Sequence, residues 1–265
     1  MKEKMELNLF QVDAFATELF EGNPAAVCPL QSWLPDDLLQ KIAQENNLSE
    51  TAFFVETQNF FRLRWFTPEH EVDLCGHATL AASHVLFKHL GYSGKAIRFQ
   101  TRSGILVVER TDSGYGMNFP AAVLTETTNH DILSEALGIE PKAAWSASDY
   151  IAVLDNEAEV LAVSPDFLKL SELDLRGVIV TAPGDEFDFV SRCFFPKLGV
   201  NEDPVTGSAH CELAPYWGNR LGKSHLTAKQ LSKRTGIVEC EVDGNRVVLT
   251  GNVVDYLKGV IKIDV

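Results

Sequence analysis

Cys75-Gly76-His77-Ala78-Thr79 and Thr206-Gly207-Ser208-Ala209-His210 read as two copies of one device. Each follows an aromatic run ending in proline, Trp65-Phe66-Thr67-Pro68 in one place and Cys193-Phe194-Phe195-Pro196 in the other. Each opens a stretch with helical apolar spacing that stops at Leu-Gly, and Gly76 to Gly91 spans the same 15 positions as Gly207 to Gly222. A glycine at a helix start lets a ligand approach bare backbone N–H groups, which together with the helix dipole favour an anion. Two such starts in one chain predict a pair of anion-gripping helix ends facing one cleft.

The likeness extends outward. Gly104 leads the apolar strand Ile105-Leu106-Val107-Val108, followed by a turn at Gly114-Tyr115-Gly116 and a return strand. Gly236 leads Ile237-Val238, followed by the turn Asp243-Gly244-Asn245 and Arg246-Val247-Val248-Leu249. Both are β-hairpin signals. The helix starts are offset by 131 positions and the hairpin glycines by 132, so two halves run in step around a small insertion. Repeated order of helix, stop and hairpin reads as duplication. The first half also predicts a strand over 7–15, a turn at Gly22-Asn23-Pro24, a helix from Pro35-Asp36-Asp37 with Leu38, Leu39, Ile42 and Ala43 as its apolar stripe, and strands over 51–55 and 62–66. The second half predicts strands over 150–154, 177–181 and 187–195, and Pro215 predicts a kink or a shortened helix. The domains are set at residues 1–118 with 257–265, and 119–256.

A chain of 265 residues exceeds a typical single core, which agrees with two domains. The formal charge of −14 argues against nucleic acid and against anionic membrane surfaces, but a few local donors still allow a small anionic substrate. Met1-Lys2-Glu3-Lys4-Met5-Glu6 runs straight into alternating sequence with no apolar signal core, and no window reaches the length of a membrane span. Cysteines 28, 75, 193, 211 and 240 are scattered, with no CxxC pair, as expected of reduced thiols in a cytoplasmic protein.

Several residues could carry chemistry. Glu50 stands between a helix end and an apolar strand; it is either a local turn acid or a half-buried carboxyl whose pKa desolvation raises toward neutrality. His77 follows the helix-opening Gly76, where the helix dipole would lower its pKa and favour neutral imidazole; packing in the first turn is its plainer role. Asp203 either caps the turn before Thr206-Gly207 or orients a site group such as His77. Ser208, the repeat mate of His77, could donate to substrate. Cys75 could be a base or a small buried residue, and its mate Thr206 cannot form a thiolate, which excludes a symmetric two-thiol epimerase. His70, His77, His84 and His89 miss the i, i+4 pair of a helical zinc site, so no metal is expected. Gly207-Ser208-Ala209 is not a nucleophile elbow.

Val12-Asp13-Ala14-Phe15, Gly22-Asn23-Pro24-Ala25-Ala26-Val27, Asn47-Leu48-Ser49-Glu50-Thr51-Ala52-Phe53, Phe66-Thr67-Pro68, the Cys75 motif and Glu202-Asp203-Pro204-Val205-Thr206-Gly207-Ser208-Ala209 together resemble the motif set of the phenazine biosynthesis PhzF-like family. Within it the chain looks nearest the mammalian phenazine biosynthesis-like domain proteins. The resemblance implies an α+β, diaminopimelate epimerase-like fold: two pseudo-symmetric domains, each a strand barrel around a central helix, with the active site in the cleft between them. It implies Glu50 as the proton-transferring acid/base, His77 and Asp203 as supporting polar groups, and Gly76, Gly207 and Ser208 as contacts to a substrate carboxylate. The family's reaction is a cofactor-independent proton shift on trans-2,3-dihydro-3-hydroxyanthranilate, and homodimers are expected. Diaminopimelate epimerase has a cysteine in each half; here Cys75 is matched by Thr206, a departure that counts against stereo-inverting epimerisation, and the alternatives are an epimerase or a one-base dehydratase using Cys75 as the base, or a non-catalytic ligand- or protein-binding module.

Overall fold

The computed structural model describes residues 4–264; Met1-Lys2-Glu3, part of the stretch read for a signal core, and Val265 lie outside the described residues. The chain divides into two units, one running to Asn118 and resuming at Thr250, the other Phe119–Leu249. The sequence boundary at 257 is therefore corrected to Thr250. The reason is pairing: the final strand Val253–Asp264 lies antiparallel to Lys4–Ala14 from its first residue, Val253 opposite Ala14.

In the first unit, Lys4–Ala14 also pairs antiparallel with Asn23–Leu30, which runs parallel to Glu50–Glu56. Asn23 and Pro24, expected in a turn, already belong to that strand. Glu50–Glu56 is antiparallel to Phe61–Phe66, which is parallel to Ala96–Thr101, and Gly104–Thr111 and Gly114–Pro120 complete the meander. The hairpin turns at Asp112-Ser113 rather than at the glycines. Gly114 opens the return strand at φ +137°, where an added Cβ would lie 2.3 Å from the Gly251 carbonyl oxygen.

The parallel step is made by the helix Asp36–Asn46, which begins with acids in its first turn and ends on Asn47 in the left-handed region. Its Leu39, Ile42 and Ala43 pack with Cys28, Phe53 and Phe66. The second helix, Gly76–His84, is buried from His77 to its end and packs on four strands, Lys4–Ala14, Asn23–Leu30, Glu50–Glu56 and Val253–Asp264. Its alanines and Leu80 make it apolar on all sides, as a central helix must be, and burying Leu80 alone contributes about 2 kcal/mol. Thr79 and Ser83 enter this core because their hydroxyls donate to the carbonyls of Cys75 and Thr79, at 2.6 and 2.8 Å. The sequence spacing predicts one helix to Leu90, but the last turn, Val85–His89, is π-helical, with Leu90 N–H reaching the Val85 carbonyl at 3.0 Å.

The second unit repeats the pairing. Tyr150–Val153 is parallel to Val178–Ala182, which is antiparallel to Phe189–Phe195; that strand is parallel to His225–Gln230, and Gly236–Asp243 follows antiparallel. Here the parallel step carries two short helices, Glu157–Ala162 capped by Asn156 and Phe167–Glu172 capped by Asp166. The helix Gly207–Leu221 continues for 15 residues with Pro215 inside it, which overturns shortening, one of the two outcomes expected of that proline. Proline removes one N–H from the helix ladder, and the carbonyl it frees, Cys211, accepts from Ala122 N–H at 3.0 Å instead. All five cysteines are free thiols, and no helix among the described residues is long and apolar enough to cross a membrane.

Candidate active site

Glu50 is the first residue of its strand, fixed by the parallel pairing of Ala25 with Glu50 just after the Asn47 turn. His77 is the second residue of the Gly76 helix, and Cys75 is its extended N-cap. These three meet. His77 Nε2 lies 3.0 Å from Glu50 Oε2, and Cys75 Sγ lies 3.6 Å from His77 Nδ1. The His77–Glu50 contact lacks hydrogen-bond alignment, and neither atom has a hydrogen-bond partner elsewhere among the described residues. Burial works to lower the His77 pKa, but Cys75 and Glu50 outweigh it and raise it well above the usual imidazole value. The expected neutral imidazole is thus corrected: the adjacent groups override the helix dipole. Burial, reinforced by Glu50, pushes the Cys75 thiol up, so Cys75 rests as a thiol.

The second unit builds a different cluster at the matching helix start. Asp203 ends the strand Val200–Asp203, and its Oδ2 accepts from the Thr206 hydroxyl at 2.5 Å. Gln230 locks this turn by accepting from Thr206 N–H at 2.9 Å and donating to the Asp203 carbonyl at 2.7 Å. Ser208 accepts from Arg176 at 3.0 Å, and Arg176 is clamped bidentately by the fully buried Asp149. One helical turn beyond Ser208, Glu212 is buried, and desolvation, with Asp149 adding to it, raises its pKa to about 8. His210, which bonds the Thr206 carbonyl through Nδ1 at 2.8 Å, is lowered by burial to about 4.

Gln230, Arg176, Asp149 and Glu212 were not singled out in the sequence. Glu212 lies in the helix itself, whereas Gln230, Arg176 and Asp149 come in from the neighbouring strands and their ends, Gln230 and Arg176 being 24 and 32 residues from their partners, and no local motif marks them. A Cβ on Gly76 would meet Met117 at 3.9 Å and one on Gly207 would meet Leu249 at 3.8 Å, so packing within either unit does not require glycine. Neither helix has a side-chain cap, which leaves first-turn N–H groups for a ligand.

Among the described residues, two groups of side chains have metal-ligand atoms within 4.8 Å of one another: Glu50, Cys75 and His77, and His84, His89 and Asp255. The spacing argument against a metal is therefore corrected for His84 and His89. It assumed an α-helix, whereas the π turn stacks residues five apart.

The family model described as phenazine biosynthesis-like protein matches residues 12–259. An uncharacterized isomerase of Pseudomonas aeruginosa is 54% identical over 259 residues, covering 98% of this chain and 100% of its own. Phenazine biosynthesis-like domain-containing protein 2 of mouse is 39% identical, covering 96% and 99%, so the bacterial isomerase lies nearer than the mammalian branch that the sequence motifs suggested. A crystal structure of a PhzF-family phenazine biosynthesis protein from Enterococcus faecalis superposes with a TM-score of 0.96 at 48% identity, covering 98% of this chain and 100% of that one. A hydroxyproline epimerase of Agrobacterium vitis shares the diaminopimelate epimerase-like fold, with a TM-score of 0.62 at 11% identity over 100% and 95% of the two chains.

Proposed function

Because the chain belongs to the phenazine biosynthesis-like family, we propose that it is an isomerase that relocates a proton on a small carboxylic acid by general acid/base catalysis. Glu50 removes the proton: the C–H bond breaks, the carboxylate gains the hydrogen, and the electron pair shifts along the adjacent π system of the substrate. The same carboxyl returns the proton to a second carbon, so the atoms balance without loss or gain.

One observation carries this reading. Glu50 Oε2 and His77 Nε2 face each other at 3.0 Å in a largely buried place, with neither committed to a further hydrogen bond. The raised pKa of His77 makes it an imidazolium that orients the Glu50 carboxylate and can donate to charge developing on the substrate. The uncapped N–H groups at Gly76, beside Glu50 and His77, are assigned to the substrate carboxylate, and those at Gly207, with Ser208, are the second unit's anion-binding groups. Asp203, Thr206 and Gln230 set the second helix start. The working assembly in this reading is a homodimer. Epimerisation or dehydration through Cys75 has less support, because a buried neutral thiol beside a carboxylate is a poor base.

The test is deuterium uptake from deuterium oxide into a panel of small cyclic and amino carboxylic acids, read by proton NMR. Uptake into at least one acid is expected with the native chain, falling roughly 10²–10⁴-fold in Glu50→Gln. Uptake that survives in Glu50→Gln but vanishes in Cys75→Ser hands the base role to the thiol. Tight binding of an acid without any exchange makes the protein a binding module.

A further inference from the structure

A second convergence of ligating groups lies in the first unit, on residues that the proposed proton shift does not use. His84 closes the regular part of the Gly76 helix and His89 closes the π turn that follows. At 100° per residue, an α-helix would leave residues five apart about 140° out of line. The π turn, whose hydrogen bonds run i to i+5, brings them onto one face. Both rings then meet Asp255, which projects from the strand Val253–Asp264: His84 Nε2 stands 2.9 Å and His89 Nε2 2.7 Å from the same oxygen, Oδ1. The three ligand atoms lie within 4.8 Å of one another.

We propose that His84, His89 and Asp255 form a binding site for a divalent transition-metal ion of the zinc type. Two imidazole nitrogens and one carboxylate oxygen are the borderline donor set that zinc and its first-row neighbours take, and that magnesium and calcium do not. At usual zinc bond lengths, tetrahedral donors stand about 3.3 Å apart, so the ion needs an opening of about half an ångström between Oδ1 and each ring nitrogen. Without an ion, each Nε2 must hold a proton toward one shared oxygen; the metal replaces those two protons.

The surroundings have the form that outer partners of a metal site take. The Tyr115 hydroxyl lies 3.1 Å from His84 Nδ1 and fixes the ring, while Lys88 Nζ holds the other Asp255 oxygen at 2.7 Å. Access exists as well. The Asp255 side chain is one-third exposed, and His84, Lys88 and Tyr115 line a cavity of about 470 Å³. Three protein ligands leave a fourth position for water or a ligand donor atom, which is the form of an open site rather than a closed structural one.

The test uses the untagged full chain, stripped with a chelator and titrated with Zn²⁺ or Co²⁺ alone. One equivalent per chain is expected, with visible cobalt bands and no thiolate-to-metal band in the near ultraviolet. His89→Ala and Asp255→Asn, each checked for native circular dichroism, should weaken binding at least tenfold. X-ray absorption of the zinc-loaded native chain should show nitrogen and oxygen scatterers only, a readout that stands even if a variant misfolds. A sulfur scatterer would move the ion to Cys75 and overturn the assignment. So would no binding at micromolar metal, or binding indifferent to the His89 and Asp255 variants.

Discussion

The Gly76 helix and the Gly207 helix each reach a left-handed glycine 15 positions on, yet the first changes to a π turn at Val85 while the second stays α-helical to Leu221. Position by position the polar groups differ too: Cys75 answers to Thr206, His77 to Ser208, Ala81 to Glu212, and His84 to Pro215. Strand register extends the comparison to the proposed base. Thr51 pairs with Phe66 as Val178 pairs with Phe194, so the residue standing for Glu50 in the second unit is Gly177. There a Cβ would lie 2.2 Å from the Phe195 ring and 2.4 Å from the Phe194 carbonyl oxygen. The duplication has kept the backbone frame and the glycine openings. It has not kept the chemistry, because one copy has no room for a side chain where the other places its carboxylate.

Exchanging residues between the copies tests that division, and the largest effect should come from the ion-paired imidazole. His77→Ser installs the residue of the second copy and removes the group facing Glu50. Turnover should fall roughly 10²-fold or more with folding intact, since general acid/base partners contribute on that scale. Steady-state kinetics beside a thermal melt separates the two readouts. A small loss of turnover would make His77 a packing residue and erase the difference between the copies.

Glu212, standing where the first copy has the fully buried Ala81, should show itself in pH dependence. Its pKa is raised to about 8 from a usual value of 4.5. Below pH 4.5 folded and unfolded chains both hold the proton. Between 4.5 and about 8 the unfolded chain releases it and the folded one keeps it, so stability falls as pH rises, then levels off. Glu212→Gln should flatten this slope and stabilise the chain by a few kcal/mol above pH 8. Parallel denaturation curves for the two proteins across that range would show that Glu212 does not carry the proton.

Gly177→Ala should cost about 1–3 kcal/mol by overpacking, whereas Gly207→Ala, whose Cβ would make only an ordinary contact with Leu249, should change stability by less than about 1 kcal/mol. Chemical denaturation of the pair decides it, and equal losses would remove the steric reason for a base in one copy only.

These contrasts also mark what the sequence could and could not carry. The glycine openings, the Leu-Gly stops and the apolar stripe of Leu39, Ile42 and Ala43 are local signals, and the structure forms the corresponding elements. The π turn was not legible, because the apolar spacing through Val85, Leu86 and Phe87 suits an α-helix equally well. The contacts it accompanies, His84 and His89 both on Asp255, involve a residue about 170 positions away. That Pro215 does not shorten its helix was not legible either: the Cys211 carbonyl it leaves without an N–H partner in the helix accepts from Ala122, which no helix rule foresees. The Arg176–Asp149 clamp on Ser208 arises from pairing across the second sheet and leaves no mark in spacing.

Cys75 and Thr206 give the finest comparison, since both are N-caps whose side chains make no cap bond to their helices. The thiol touches His77 at 3.6 Å, and the hydroxyl donates to Asp203 at 2.5 Å. If the thiol only fills space, Cys75→Thr imports the partner copy's residue at similar volume and should lower turnover less than tenfold. The pH–rate profile should lose no limb, because Cys75 is pushed up by burial and stays protonated through neutrality. If instead the thiolate is the base, a hydroxyl cannot replace it, and the same substitution should cost several hundredfold. The exchange also tests the imidazole indirectly. With Cys75 protonated, Glu50 is the charge beside the imidazole, so Cys75→Thr should leave the His77 pKa raised, measurable by titrating the His77 ring in NMR. A His77 pKa that drops in the variant would mean that the sulfur carries negative charge in the native site and would return the thiolate to the mechanism.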